Sequence, residues 1–480
     1  MCNRGWCHLT SKDLLRWTAQ NESASGSFPL ANGDTGSISF TENGTVALFP
    51  TTRGPFGLMR QVPASGGSLT PSMTWTNATH VFSATFDGSR AGFRDPARAL
   101  KMADGSYYVA VGAGVGKEGC IAWLRASDPS LMSFEFVGCL LSTNHTTGHM
   151  ETHRYGWDPK DLKVSFIECP DVFKLGSKYV AVGSFNDYGG KADNGTQYEN
   201  NEYWVGDVAD SKTFAPTSRG ILDFGMYYAA RTGSSASSNL DGTERRVIFG
   251  ATGWAPPRSL PGCQPHTSMQ IEMMPRDLGI DAKGRLTISP IPELVTLRKP
   301  GSRKSATLYG SDTSGEPAPM ADGAATGSLL DLRMTCEGRP SGGSNTVAMN
   351  VLVGPGGSTF TTIGYNYSSS QLFIDHRQSS TQCPDRVTCG PDAIVQNAPL
   401  QGGGLDAGEP VELTVMLDGG LVEAYLNNRT VMSVWVVEVM NETAAGHTPA
   451  ARTAAALPPP PGVTCHWESH GLQALSPIPV

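Results

Sequence analysis

Between about residues 27 and 295, short apolar or alternating runs recur between paired turn residues, and that punctuation restricts the chain to many short strands. The breaks are Asn32-Gly33, Asn43-Gly44, Asp87-Gly88, Asp104-Gly105, Asn194-Gly195 and Asp241-Gly242. Such dipeptides accept the backbone angles of tight hairpins. The runs between them predict strands over 36–40, 45–49, 106–111, 120–124, 178–183, 202–205 and 245–250. The 56 glycines and 33 prolines, and the lack of long Ala/Leu/Glu/Lys runs at helical spacing, also point to an all-β protein. Spacing alone fits a sandwich, a barrel or a propeller.

Residues 299–326 are poor in apolar side chains and rich in Gly, Ser, Pro and Ala, so they read as a linker or surface loop closing a first domain over 1–298. Residues 327–480 predict a second all-β unit, with strands over 329–334, 346–353, 359–365, 371–374, 411–417, 421–426 and 431–437, most simply a sandwich. The Ala-rich stretch 441–462, ending in Pro458 to Pro461, reads as a disordered insertion before a last strand at 463–467.

The net charge is -8 and the 36 Lys and Arg residues are scattered, which leaves no electrostatic footprint for nucleic acid or an anionic membrane. No apolar run reaches bilayer length, since 431–440 is short and carries Glu438. A small neutral or polar substrate is the expected partner. The first ten residues hold no apolar h-region, yet eight Asn-x-Ser/Thr sequons occur, at Asn21, Asn43, Asn77, Asn144, Asn194, Asn366, Asn428 and Asn441. A secreted or vacuolar glycoprotein whose true N-terminus lies upstream of Met1 reconciles the two observations. None of the ten cysteines forms a Cys-x-x-Cys pair, which argues against a zinc ribbon or a thioredoxin-like site. Cys383 and Cys389 bracket a short turn and can close a small disulfide loop, and the other pairings stay open.

The chemistry is placed in Ser165 to Phe173, where Glu168 and Asp171 stand three residues apart in an apolar run. A carboxyl group among Phe166, Ile167 and Cys169 is partly desolvated, which raises its pKa and keeps it a proton donor. Glu168 is therefore the candidate general acid. The plainer alternative is a strand with one carboxylate in water and Cys169-Pro170 forming a bulge or an edge. Cys169 itself reads as a small buried hydrophobe. Asp95, in Phe93-Arg94-Asp95-Pro96, is the second carboxylate, although Asp-Pro turns also occur at Asp128-Pro129 and Asp158-Pro159. Glycoside hydrolysis commonly uses two such groups. His145, His149 and His153 fall at intervals of four, as metal ligands on a helix would. Thr146-Thr147-Gly148 is a poor helix, however, and a surface loop with no metal is expected.

In order along the chain, Phe93-Arg94-Asp95-Pro96, Glu168-Cys169-Pro170-Asp171-Val172-Phe173, Asp223-Phe224-Gly225-Met226-Tyr227-Tyr228-Ala229 and Arg245 to Gly250 resemble glycoside hydrolase family thirty-two, the invertases and related β-fructosidases. His8 to Trp17, Pro275-Arg276-Asp277-Leu278, Leu372 to Asp375 and Leu421-Val422-Glu423-Ala424-Tyr425 extend the match from residue 8 to about 437. The resemblance implies a five-bladed β-propeller followed by a β-sandwich, acting on terminal fructosyl units of sucrose or fructans by a retaining mechanism that needs no cofactor. It makes Glu168 the acid/base and Asp95 the transition-state stabiliser, with Arg94 beside it on the fructose hydroxyls. It puts Asp171 near the sugar pocket and Ser37 on the pocket wall. The sequence departs from the family pattern at Asp34 and at Ala251, where aromatic residues are usual.

The family's nucleophilic aspartate belongs to a Trp-Met-Asn-Asp-Pro-Asn-Gly motif ahead of the segment matched by His8 to Trp17. Trp157-Asp158-Pro159 does not replace it, being out of order and without the flanking Asn and Gly. The first blade is therefore expected to be incomplete, and the chain as numbered inactive. A non-catalytic carbohydrate-binding protein is the alternative expectation.

Overall fold

The computed structural model describes residues 6, 9–19, 35–51, 56–64, 74–85, 92–115, 118–142, 166–186, 199–234, 245–252, 272–310, 325–342, 344–379, 395–436 and 453–475. His145, His149, His153, Asp34, Trp157 and the Cys383–Cys389 turn lie outside them.

The strands follow the turn punctuation and gather into successive antiparallel sheets. Leu9–Ser11 pairs with Trp17–Ala19, giving two strands among the described residues. Four fuller sheets follow in chain order: one from Ser37–Thr41 to Thr79–Ser83, one from Phe93–Arg94 to Glu135–Ser142, one from Ile167–Leu175 to Thr213–Ile221, and one from Tyr227–Ser234 to Leu286–Pro290. These are the blades of the expected propeller.

Blade packing explains why the strands read as continuous apolar runs. Along Tyr107–Val115, Tyr108 and Ala110 enter one core, while Tyr107, Val109 and Val111 enter another. Side chains alternate faces along a strand, so a blade buried on both sides must be apolar at every position. Gly112 answers a different constraint: a Cβ there would lie 2.5 Å from the Ile167 carbonyl oxygen of the next blade.

The C-terminal unit is a sandwich of two six-stranded sheets around a core that includes Leu332, Met349, Ile363, Val415, Ala424 and Trp467. Two segments differ from expectation. Lys304–Tyr309, within the stretch read as a linker, is an edge strand paired with Val463–Gly471. Only its Ala306 and Leu308 are even partly shielded, so its polar outer face mimics a loop. Thr453–Ala456, within the stretch read as disordered, pairs with Ala325–Thr326 and Thr346–Val353. Ala454 and Ala456 fill the core there with methyl groups, and alanine carries little strand signal of its own.

The motifs around Asp223, Arg276 and Glu423, matched to the family without a role, meet where propeller and sandwich join. Arg276 is bonded to Asp223 at 2.8 Å and to Glu423 at 2.7 Å. Gly225 is required by the same contact, because a Cβ there would lie 1.8 Å from the Ser433 carbonyl oxygen.

Candidate active site

Three consecutive blades present the beginning of their first strand to one place. Phe93–Arg94 brings Arg94 and the following Asp95, Ile167–Leu175 brings Glu168 and Asp171, and Tyr227–Ser234 brings Tyr228 and Arg231. Each segment holds a non-glycine residue at positive φ: Asp95 at 59°, Cys169 at 45° and Ala229 at 54°. Such conformations cost about 1–3 kcal/mol each and cluster at functional sites. In the last two strands they coincide with bulges, the register slipping between Glu168 and Asp171 and between Tyr228 and Arg231. A bulge re-aims the side chains beside it, so the plain alternative for Cys169-Pro170 and the functional one describe the same feature.

Glu168 is 8% exposed, with Phe166, Ile167 and Cys169 buried around it. Both oxygens are engaged: Arg94 donates through Nη2 to Oε1, and the Tyr228 hydroxyl donates to Oε2 at 2.5 Å. Burial disfavours the carboxylate form, whereas a guanidinium favours it. Local sequence displays only the first influence, because Arg94 is 74 positions away. The Arg94 guanidinium lies 4.6 Å from the centre of the Phe166 ring, and its Nε is 3.8 Å from Asp95 Oδ2. One cation thus spans both carboxylates.

Asp95 is 3% exposed, and its Oδ2 accepts the Cys169 backbone N–H at 3.0 Å and faces the thiol at 3.5 Å. Burial, reinforced by the Asp95 charge, pushes the Cys169 thiol up to about 12. It stays protonated, which fits a buried hydrophobe and not a nucleophile.

Asp171 and Ser37 stand one contact further out. Asp171 Oδ2 accepts the Thr232 backbone N–H at 3.0 Å and its hydroxyl at 2.6 Å, tying this blade to the next. Ser37 donates to the Ala97 carbonyl at 2.8 Å, two residues beyond Asp95. Tyr228, Arg231 and Thr232 join the site without having been singled out by sequence. Tyr228 lies inside the Asp223-to-Ala229 motif, but its position there does not reveal that it faces Glu168.

Two buried carboxylates on adjoining blades of a propeller, backed by a sandwich, describe a glycosyl hydrolase. The glycosyl hydrolases family 32 N-terminal domain matches residues 2–290, and the family's C-terminal domain matches residues 293–447. The chain belongs to glycosyl hydrolases family 32. Comparison with curated sequences returns no match. Among solved structures, the chain is similar to an Aspergillus kawachii beta-fructofuranosidase complexed with glycerol, at 17% identity and a TM-score of 0.72, over 98% of this chain and 88% of that one. It is similar to fructan 1-exohydrolase IIa from Cichorium intybus at 14% identity and a TM-score of 0.71, over 98% and 90%. A Bombyx mori GH32 beta-fructofuranosidase gives 17% and 0.64, over 98% and 84%. A mutant of the silkworm protein is described in complex with sucrose, and a variant of the chicory protein with 1-kestose.

Proposed function

We propose that this protein is a β-fructofuranosidase-like hydrolase that releases terminal fructosyl units from sucrose or fructans with retention of configuration. The observation that carries the reading is the junction of Asp95 and Glu168, where the Cys169 N–H bonds Asp95 and Arg94 bonds Glu168. The sugars described with the silkworm and chicory proteins support the substrate class.

On this reading Glu168 gives its proton to the leaving glycosidic oxygen and later takes one from water. Tyr228 fixes the direction of that carboxyl group. Asp95 accepts fructose hydroxyls, and those bonds strengthen as positive charge develops on the ring. Arg94, shared between the two carboxylates, can turn its N–H groups to the sugar. Retaining chemistry also needs a carboxylate nucleophile about 5–5.5 Å from the acid.

The second reading is a non-catalytic carbohydrate-binding protein. In that reading the protein holds a fructosyl unit through Asp95 and Arg94 without cleaving it. Sugar release from sucrose and 1-kestose, measured with Glu168→Gln alongside, separates the two. Turnover abolished by the substitution supports the hydrolase, binding without turnover supports the carbohydrate-binding protein, and neither binding nor turnover removes both.

The proposal extends to a secreted or vacuolar glycoprotein. Disulfides join Cys120 to Cys139 and Cys336 to Cys465, cross-links that persist in oxidising compartments. The sequon residues Asn43, Asn77 and Asn428 are exposed. A mobility shift on enzymatic removal of N-glycans tests this, and an unchanged mobility contradicts it.

A further inference from the structure

Arg231 uses one planar side chain to hold the backbone of two other blades. Its Nη1 donates to the Pro170 carbonyl at 2.7 Å and its Nη2 to the Asp95 carbonyl at 2.8 Å. Arg231 comes from the blade beginning at Tyr227–Ser234, Pro170 from Ile167–Leu175, and Asp95 follows Phe93–Arg94. Both carbonyls belong to the distorted turns that aim the carboxylates. Asp95 itself has φ 59°, and Pro170 follows Cys169 at φ 45°. Cys169 and Pro170 are left out of the strand register by the slip between Glu168 and Asp171. The guanidinium supplies donors where the ladder is interrupted, even though its buried Nε finds no hydrogen-bond partner among the described residues.

We propose that Arg231 is a positioning residue that fixes the separation of Asp95 and Glu168 by clamping these two carbonyls, a proposal that rests on the hydrolase reading above. Among the described residues the two segments are also joined by Arg94 to Glu168 and by Cys169, through its N–H and its thiol, to Asp95. All of these end on carboxylate oxygens that the reaction itself requires. A sugar hydroxyl or a transferring proton must compete for them. The Arg231 bonds end on main-chain carbonyls, which the chemistry does not consume, so they can persist while Arg94 exchanges partners. The two N–H donors sit in a rigid fork, so one carbonyl cannot drift without the other. Thr232, next in the chain, anchors Asp171 through its own N–H and hydroxyl. A two-residue segment of one strand thereby locates all three acidic side chains of the site. A lysine ammonium is a single point charge and cannot reproduce the fork.

The test uses the full chain with Arg231→Lys and Arg231→Met, compared at matched folded fraction. Fructose affinity is measured by calorimetry, kcat and KM on sucrose by sugar release, and iodoacetamide labelling of Cys169 by peptide mass mapping. Misplacing reacting groups by about 1 Å costs on the order of 100-fold in rate. We therefore expect kcat to fall about 10- to 100-fold with KM within about threefold, and no rescue by lysine. Cys169 labelling should accelerate about tenfold, since the buried thiol faces Asp95 Oδ2 at 3.5 Å, next in the chain to the clamped Pro170, and loses that protected geometry. Fructose affinity should weaken only within the same factor of about threefold, because the shift of Asp95 acts mainly on the transition state. A lowered melting temperature with unchanged kcat and affinity in the folded fraction would mean a merely structural role and overturn the proposal. Wild-type protein that neither binds nor cleaves fructosides refutes the hydrolase reading instead, and the clamp is then decided by Cys169 protection, with unchanged labelling in both variants overturning it.

Discussion

Arg276 and Glu423 meet at 2.7 Å with both side chains sealed from solvent, one on the last blade of the propeller and the other on the sandwich. Asp223 takes the same guanidinium at 2.8 Å, Ser433 donates to Asp223 at 2.5 Å, and the Tyr425 hydroxyl donates to Glu423 at 2.7 Å. The guanidinium also lies 4.0 Å from the centre of the Tyr227 ring. Tyr227 immediately precedes Tyr228, so the joint between the domains is one residue from the hydroxyl that holds Glu168.

Arg276→Met should be severely destabilising, because it leaves two buried carboxylates without their counter-charge. Breaking such a pair typically costs about 3–5 kcal/mol. Chemical denaturation should show that loss, and adding Asp223→Asn and Glu423→Gln should recover part of it. An unchanged midpoint in the single variant contradicts the assignment.

Tyr228→Phe removes only the hydroxyl that bonds Glu168. A hydrogen bond to a charged group contributes about 1.5–3 kcal/mol, and 1.4 kcal/mol is tenfold in rate. We expect kcat to fall about tenfold or more, with a stability loss no larger than about 1.5–3 kcal/mol. Glu168→Gln should cost more. A Tyr228→Phe enzyme with wild-type kcat removes the tyrosine from the site.

The fold was largely legible because turn dipeptides and strand runs are local signals. Thr346–Val353 and Leu421–Leu426 fall where the apolar pattern predicts them. The pattern fails at Lys304–Tyr309, an edge strand whose exposed face is polar, and at Thr453–Ala456, where alanine methyls pack a core without looking like a strand. Within the site, the apolar neighbours of Glu168 announce its burial. Its pairing with Arg94 is a contact between separate blades, which no local window contains. The Arg276 cluster was visible only as three unexplained motifs, since its meaning depends on how the sandwich docks.

Removing the Cys336–Cys465 disulfide should destabilise the protein more than removing Cys120–Cys139. The first spans 129 residues and the second 19. On the chain-entropy account the longer loop restricts the unfolded chain more, within a usual range of about 2–4 kcal/mol. Each pair replaced by serines, compared in denaturant, checks the order. Equal losses would show that native packing around the sulfurs, and not loop closure, dominates.

Glu202 should make stability fall as pH rises toward about 8. It is 6% exposed and lines a cleft of about 340 Å³ between propeller and sandwich, together with Arg219, Phe224, Pro399 and Gln401. Burial pushes its carboxyl up to about 8, with Arg219 opposing that shift. Between the ordinary value of 4.5 and about 8 the folded protein therefore holds a proton that the unfolded chain has lost. More protons on the folded state means that stability declines with pH across this interval. His376 acts in the opposite sense at lower pH. Burial lowers it to about 4 from 6.5, so the unfolded chain binds more protons between those values and stability declines as pH falls. The two effects oppose each other below 6.5, whereas from 6.5 to about 8 only the Glu202 contribution remains of the pair. Denaturation midpoints across that upper window should fall for wild type and flatten in Glu202→Gln. Parallel slopes in the two proteins would show that Glu202 ionises in the folded state as it does in water.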